Sequence, residues 1–263
     1  MSKGLDQFAK GVGKAIETAP ELYQDTLKPT AQESGKTFSL IPRTINAALV
    51  PLRQWIAERE YNLAETEKLL AQKLEHVGED KIVTPEPYVA VPAIQAISYS
   101  MNSEELRELY ANLLAKAMNS DTKDSVHPSF VEIIKQMSPM DAKIFNEIMI
   151  APVRPLISIR IKRQDGSERF YADNCSWITD YSLVQCRTSF DNLARLGLIQ
   201  IPFDLVYTDK ESYNLVKSNP LYINIENECK NNLNQGEHII YREGFIKIND
   251  LGKLFYKICV SNI

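Results

Sequence analysis

The sequence predicts a mainly helical protein with a smaller α+β part towards its C-terminal end. Three observations carry this. Between Pro92 and Met149, three segments in a row pair a helix-start signal with apolar residues at helical spacing. From Pro155 the period changes to two: L-I-S-I-R-I-K-R and E-R-F-Y-A-D flank an Asp165-Gly166 turn signal. The composition is that of a globular chain, with 44% hydrophobic and 24% charged residues in 263, enough for one large domain or two modest ones. The expected organisation is a tail over 1–36, a helical domain over 37–150 and an α+β domain over 151–263.

In the tail, Leu5, Phe8, Val12, Ile16 and Ala19 fall at helical spacing. Gly4, Gly11 and Gly13 each weaken that helix by about 1 kcal/mol relative to alanine, and Pro20 ends it. The tail is expected to fold only against something else. From Leu40 to His76 an amphipathic helix is expected, kinked or split at Pro51. Its stripe of Leu40, Ile41, Ile45, Leu49, Leu52, Trp55 and Ile56 is a candidate face for a membrane surface or a partner, with packing on the protein's own core the favoured reading. Leu63, Leu70 and Leu74 continue inward, and Gly78 stops the helix.

The proline-punctuated I-V-T-P-E-P-Y-V-A-V-P reads as extended, with a short helix from Pro92 carrying Ile94 and Ile97. The next helix has Asn102 as its cap and Glu105 as the capping-box partner. Its apolar stripe runs Leu106, Leu109, Tyr110, Leu113, Leu114, Ala117, Met118. Further helices start at His127-Pro128, burying Phe130, Ile133, Ile134 and Met137, and at Ser138-Pro139, burying Ile144, Phe145 and Ile148. After the hairpin, a helix spans Ser182 to Leu196 and Gly197 stops it. A strand follows over Leu198 to Ile201, then a helical piece near Asp209 to Lys217. The chain closes on strand E-G-F-I-K-I and a helix capped at Asn249 or Asp250.

Chemistry is sparse. Cys175, Cys186, Cys229 and Cys259 form no C-x-x-C pair, and His76, His127 and His238 are scattered. Zinc sites need close ligand pairs, so no metal is expected and the thiols read as small reduced hydrophobes. His127, with Asp121 and Asp124 nearby, has the makings of a base and its orienting partners. No nucleophile motif, phosphate loop or H-E-x-x-H accompanies it, and helix capping explains it as well. No catalytic residue and no cofactor is expected. The net charge of −4 and pI near 5.6 do not advertise a nucleic-acid binder. No secretory leader and no run of membrane-span length is visible, so a cytoplasmic protein is expected, with contact at the inner membrane face left open.

The order L-A-R-L-G-L-I, strand, then a strand into N-D-L-G-K-L-F resembles winged-helix domains, in which the helix before "LGLI" is the recognition helix. On that reading Arg187, Thr188, Ser189, Asn192 and Arg195 are the exposed candidates for nucleic-acid contact, with Lys162 and Arg163 on the hairpin as phosphate contacts. Asp191 would repel phosphate, and a protein-contact scaffold is the competing reading.

Over roughly 40–260 the chain resembles a known bacterial family. The residues that carry it are S-E-E-L-R-E-L-Y-A-N-L-L-A-K-A-M-N, H-P-S-F-V-E-I-I-K-Q-M-S-P-M-D-A-K-I-F, L-A-R-L-G-L-I and D-L-G-K-L-F. The chain looks like the abortive-infection alpha family. That resemblance implies a role in bacterial defence against phage by abortive infection, and it brings no catalytic residue, cofactor or ligand with it. A protein partner or self-association, peripheral membrane contact and nucleic acid stay open as partners. An enzyme of unknown type is the remaining reading.

Overall fold

A computed structural model describes residues 68–99 and 103–261. The chain divides into two compact units: residues up to Gln136 together with Lys257 onward, and Met137–Tyr256. The expected tail, the Pro51 kink, the stripe from Leu40 to Ile56, Leu63 and the Asn102 cap lie outside the described residues.

In the first unit, helical residues 68–74 bury Leu70 and Leu74, as their spacing predicts. Backbone turns at 75–77 precede Gly78. Helix α1 (Pro87–Tyr99) starts five residues before the expected Pro92, which lies inside it. Pro87 takes the first helical position, where its missing N–H and fixed φ suit the helix. Only 83–86 stay outside regular structure, with the Val83 N–H on the Met118 carbonyl at 2.8 Å. Ile94 and Ile97 are buried, as expected.

Helix α2 (Glu104–Ala117) is capped by Ser103, whose hydroxyl accepts from the Leu106 N–H at 3.3 Å. The cap thus sits one residue after the expected Asn102, which leaves Leu106 at the third position and no capping box. From Leu109 to Ala117 every residue of α2 is buried, so α2 is the central helix of this unit. Helix α1 packs on α2, and α3 (Ser129–Lys135) packs on both with Phe130, Ile133 and Ile134 inward.

The second unit opens with α4 (Pro139–Ile150). Ser138 and Asp141 form a complete capping box with proline at the first position. At its other end the Arg154 guanidinium donates to the Ile148 and Met149 carbonyls. Strands β1 (Pro155–Lys162) and β2 (Glu168–Cys175) form the expected hairpin, with Gly166 at φ +82° in its turn. Helix α5 (Leu183–Arg195) starts from a Ser182–Gln185 capping box. It ends at Gly197, φ +76°, where the Leu198 N–H returns to the Leu193 carbonyl at 3.0 Å.

Strand β3 is only Ile199–Gln200, paired with β5 (Lys247–Ile248), shorter than the expected Leu198–Ile201. Pro202 follows, and proline has no N–H for a ladder. The expected helical piece is a 3-10 turn (Lys210–Tyr213) running into α6 (Asn214–Lys217). One element was not expected, α7 (Pro220–Asn231), and the strand expected over E-G-F-I-K-I begins five residues earlier as β4 (His238–Phe245) and breaks before β5. Strand β4 completes an antiparallel sheet of order β2-β1-β4. One face of that sheet buries Ile157, Ile159 and Ile161 against Tyr213, Val216, Tyr222 and Cys229. Asn219 caps α7 and donates to the Ser176 and Ile178 carbonyls at 2.8 and 3.0 Å. Helix α8 (Asp250–Phe255) closes the unit, with Phe145 of α4 edge-on to Phe255 at 5.7 Å. The helix then continues as a π-turn over Tyr256–Val260.

Candidate functional site

Helix α5 buries Cys186, Ser189, Phe190 and Leu193, which recur at i, i+3, i+4, i+7. That periodicity corrects one candidate: Ser189 is only 2% exposed and belongs to the core face, so it is unavailable as a surface contact. Arg187 and Thr188 are exposed. Asn192 is half-buried, and its amide donates to Asp141 Oδ2 at 2.9 Å. Its own oxygen accepts from Arg195 at 2.7 Å. Asp141 Oδ2 in turn accepts from the Ser138 N–H at 2.7 Å. Arg195, Asn192 and Asp141 therefore form one chain of hydrogen bonds tying α5 to the start of α4. Asn192 and Arg195 serve that join first. Asp191 is exposed beside Arg187 and Thr188.

On the sheet, Lys162 sits across from Glu168 on β2 and from His238 on β4. Arg163 lies 3.5 Å from Glu237, which also takes Arg169 at 3.3 Å. Glu168 accepts from Arg242 at 3.1 Å and lies 3.5 Å from Arg160. Arg242 holds the Glu168 carboxyl below the usual carboxylate range. The Arg160 guanidinium lies 4.2 Å over the Phe170 ring. Four of the five cations here thus already face a carboxylate. A phosphate would have to compete with Glu168 and Glu237, which argues against a built phosphate track.

Sequence reading missed the cleft lined by Ile157, Lys217, Tyr222, Glu226, Tyr241 and Glu243. The Tyr241 hydroxyl donates to Glu226 Oε1 at 2.6 Å, and Lys230 to Oε2 at 2.7 Å. Burial pushes the Glu226 carboxyl up, but the bonds from Lys230 and Tyr241 outweigh it and leave the group below its ordinary value. Burial and Glu226 together raise the Tyr241 phenol. The i, i+4 pair Tyr222 and Glu226 was the available signal, and it depended on recognising α7.

A loop beside the sheet was also missed. Phe203, Leu205 and Val206 are 80%, 54% and 51% exposed. The loop is anchored just beyond them. The Tyr207 hydroxyl accepts from the Arg154 N–H at 3.0 Å, the Tyr207 N–H donates to the Tyr213 hydroxyl at 3.0 Å, and its ring lies 4.7 Å from Phe245. Three exposed apolar side chains, interrupted only by Asp204, thus stand next to an anchored base.

The other candidates resolve simply. All four thiols are free and buried, and burial raises each, Cys175 to about 12. Thiols held so far up are protonated at neutral pH and poor nucleophiles. His127 Nδ1 accepts from the Ser129 N–H at 3.1 Å and lies 2.6 Å from the Ser129 hydroxyl, a local turn contact, while Pro128 stands at the N-cap of α3. Asp121 is paired with Lys81 at 2.6 Å. Among the described residues no three His, Cys, Asp or Glu side chains cluster as metal ligands, and no helix is long and apolar enough to cross a membrane.

No curated protein and no solved structure matches this chain. The profile of one protein family, described as abortive infection alpha, matches residues 58–259. That span takes in both compact units, the α4–α5 join, the cleft and the Phe203 loop. With most of its length matched, the chain belongs to the abortive infection alpha family.

Proposed function

We propose that this chain is a bacterial anti-phage defence protein acting by abortive infection, through contacts with protein or membrane and without catalytic chemistry of its own. The family match carries this reading. The anchored loop of Phe203, Leu205 and Val206 supports the contact mechanism, because it offers apolar surface that water alone does not favour. The pairing of Glu168 and Glu237 with the sheet arginines supports protein contact over a phosphate track. The test is to express the full chain in bacteria and challenge them with a phage panel at low and high dose. The expected result is protection of the culture at low dose and its collapse at high dose. Full survival at high dose would contradict abortive infection.

We read Met137–Tyr256 as winged-helix-like, with α4, α5, the β3–β5 ladder and α8 in winged-helix order. On that reading the 45 or so residues between β3 and β5 stand where the wing would be. Arg187 and Thr188, exposed together on the outward side of α5, favour nucleic acid as the second reading. It predicts oligonucleotide binding that weakens with salt and that is lost in an Arg187→Ala, Arg195→Ala double variant. No mobility shift at low salt with DNA or RNA removes it.

A further inference from the structure

The three-stranded sheet of Met137–Tyr256 has two edges, β2 and β4, and they differ in how they are closed. An open edge presents unpaired N–H and C=O groups to any passing strand, and proteins blunt it with bulges, prolines or charges. Strand β2 is blunted. Its pairing to β1 shifts register twice, and Asn174 stands at φ +51° beside the first irregularity. Strand β4 is not. It runs in unbroken register with β1 over eight residues, from His238 to Phe245, with neither proline nor lysine among them. Its two charges are turned to its own chain: Arg242 bonds Glu168 at 3.1 Å, and Glu243 bonds Lys210.

The direction of the free groups follows from one bond. Just past β4 the Ile246 N–H donates to the Arg154 carbonyl at 2.9 Å. Antiparallel ladders alternate bonded and unbonded pairs, and the register between β1 and β4 has no shift. The even-numbered residues of β4 therefore bond β1, and the N–H and C=O groups of Ile239, Tyr241 and Glu243 point the other way. Among the described residues those groups have no backbone partner. The side chains here are apolar on both faces of the strand. Ile239 and Ile240 are half-buried, and Tyr241 is 46% exposed. The Tyr241 hydroxyl is held by Glu226 at 2.6 Å, so its ring stays at the edge. The cleft beside Tyr241 and Glu243 leaves this side of β4 bordering open space.

We infer that β4 pairs antiparallel with the β4 of a second copy of this chain, about a two-fold axis at Ile240, joining two three-stranded sheets into one. The strand is its own complement in that register. Ile240 faces Ile240, each Ile239 faces the Tyr241 of the other copy, and His238 faces Arg242. Aliphatic and aromatic pairs of this kind are the favourable cross-strand contacts. Ile239 and Tyr241, whose backbone groups are free, fall opposite each other as the hydrogen-bonded pairs. A register centred on Arg242 would instead set two guanidinium groups face to face. Beyond the ladder Glu243 meets the Glu237 of the other copy. Each is already matched within its own chain, Glu243 by Lys210 and Glu237 by Arg163 and Arg169. That self-matching singles out a second copy over an unrelated strand. The pairing goes beyond the defence reading, and either can fail without the other.

The test is sedimentation velocity on the full chain over a concentration series. Strand addition alone buries little surface, so the dimer is expected in the micromolar range. The mass should rise from one chain to two across that range. Ile240→Lys places two ammonium groups on the axis and should keep the one-chain mass throughout, with an unchanged circular dichroism spectrum. Ile240→Cys, which keeps a small apolar side chain, reads the register directly. The closer pairs of an antiparallel ladder lie about 4.5 Å apart at Cα, within reach of a disulfide. The native thiols are all buried, so mild oxidation should link two Ile240→Cys chains and leave wild type unlinked. Hydrogen exchange gives a readout on wild type itself. The Ile239 and Tyr241 amides should exchange slower by about tenfold or more in concentrated than in dilute protein. One-chain mass at every concentration overturns the pairing and leaves the edge open to a strand of another protein. A dimer that persists in Ile240→Lys, with no cross-link in Ile240→Cys, overturns it too and places the interface elsewhere.

Discussion

Single residues in this protein differ in weight according to how many buried partners they serve. Asp141 is 4% exposed, completes the α4 capping box and accepts the Asn192 amide. Asp141→Ala removes the capping-box bond to the Ser138 N–H while keeping the Ser138 hydroxyl cap, about 0.5–1.5 kcal/mol, and leaves a half-buried amide short of a partner, about 1–3 kcal/mol. Denaturant unfolding should show a loss of about 2–4 kcal/mol. Arg187→Ala, at an exposed position with nothing comparable to lose, should stay within about 0.5 kcal/mol of wild type. The thiols give a pH dependence of defined sign. Burial raises Cys175 from an ordinary value near 9 to about 12, and raises the other thiols too. The unfolded chain therefore releases thiol protons first, and stability is full below about pH 9 and declines above it. Measured unfolding free energies should fall from about pH 9 towards pH 12, and a Cys175→Ala variant should fall less steeply.

Among elements, legibility followed the strength of local signals. The capping box at Ser138 and Asp141, the Asp165-Gly166 turn and the Gly197 stop are written in two to four adjacent residues, and each stands where the sequence places it. Helix α1 was misplaced because two prolines compete as its start, and Pro87 rather than Pro92 fills the first position. The first five residues of β4, His238 to Arg242, were missed because the expected strand began at Glu243, while the eight-residue pairing to β1 is a long-range fact. Missing α7 hid the Tyr222–Glu226–Tyr241 cleft, although Asn219-Pro220 is a good start signal. Ser189 was misjudged because serine reads as surface, whereas its spacing from Cys186, Phe190 and Leu193 reads as core. Helix α8 lies close against Leu198, the residue before β3. A Cβ on Gly252 would stand 2.1 Å from the Leu198 carbonyl oxygen. Gly252→Ala should therefore cost about 1–3 kcal/mol or more, read as a lower Tm, because backbone on both sides must shift. Asn249 reinforces the same approach by donating to the Gly197 and Ile199 carbonyls at 3.0 and 3.2 Å.

For the whole molecule, function was legible through resemblance and not through chemistry. The thiols are buried, His127 is engaged by Ser129, and the sheet arginines face carboxylates. Among the described residues of Met137–Tyr256, Phe203, Leu205 and Val206 are exposed apolar side chains close together in sequence, and the proposed contact is placed there. A Phe203→Ser, Leu205→Ser, Val206→Ser variant should keep its Tm within a few degrees, since exposed positions carry little stability. It should nevertheless lose protection in cells if that loop makes the contact. Unchanged protection with unchanged Tm would move the contact elsewhere. The most direct test of the central claim is the fate of single infected cells that express the full chain. Survival and phage yield per infected cell are counted after every cell has received phage. Abortive infection predicts that infected cells fail to form colonies and release few or no phage. Infected cells that survive and divide, or that release a normal burst, would contradict it.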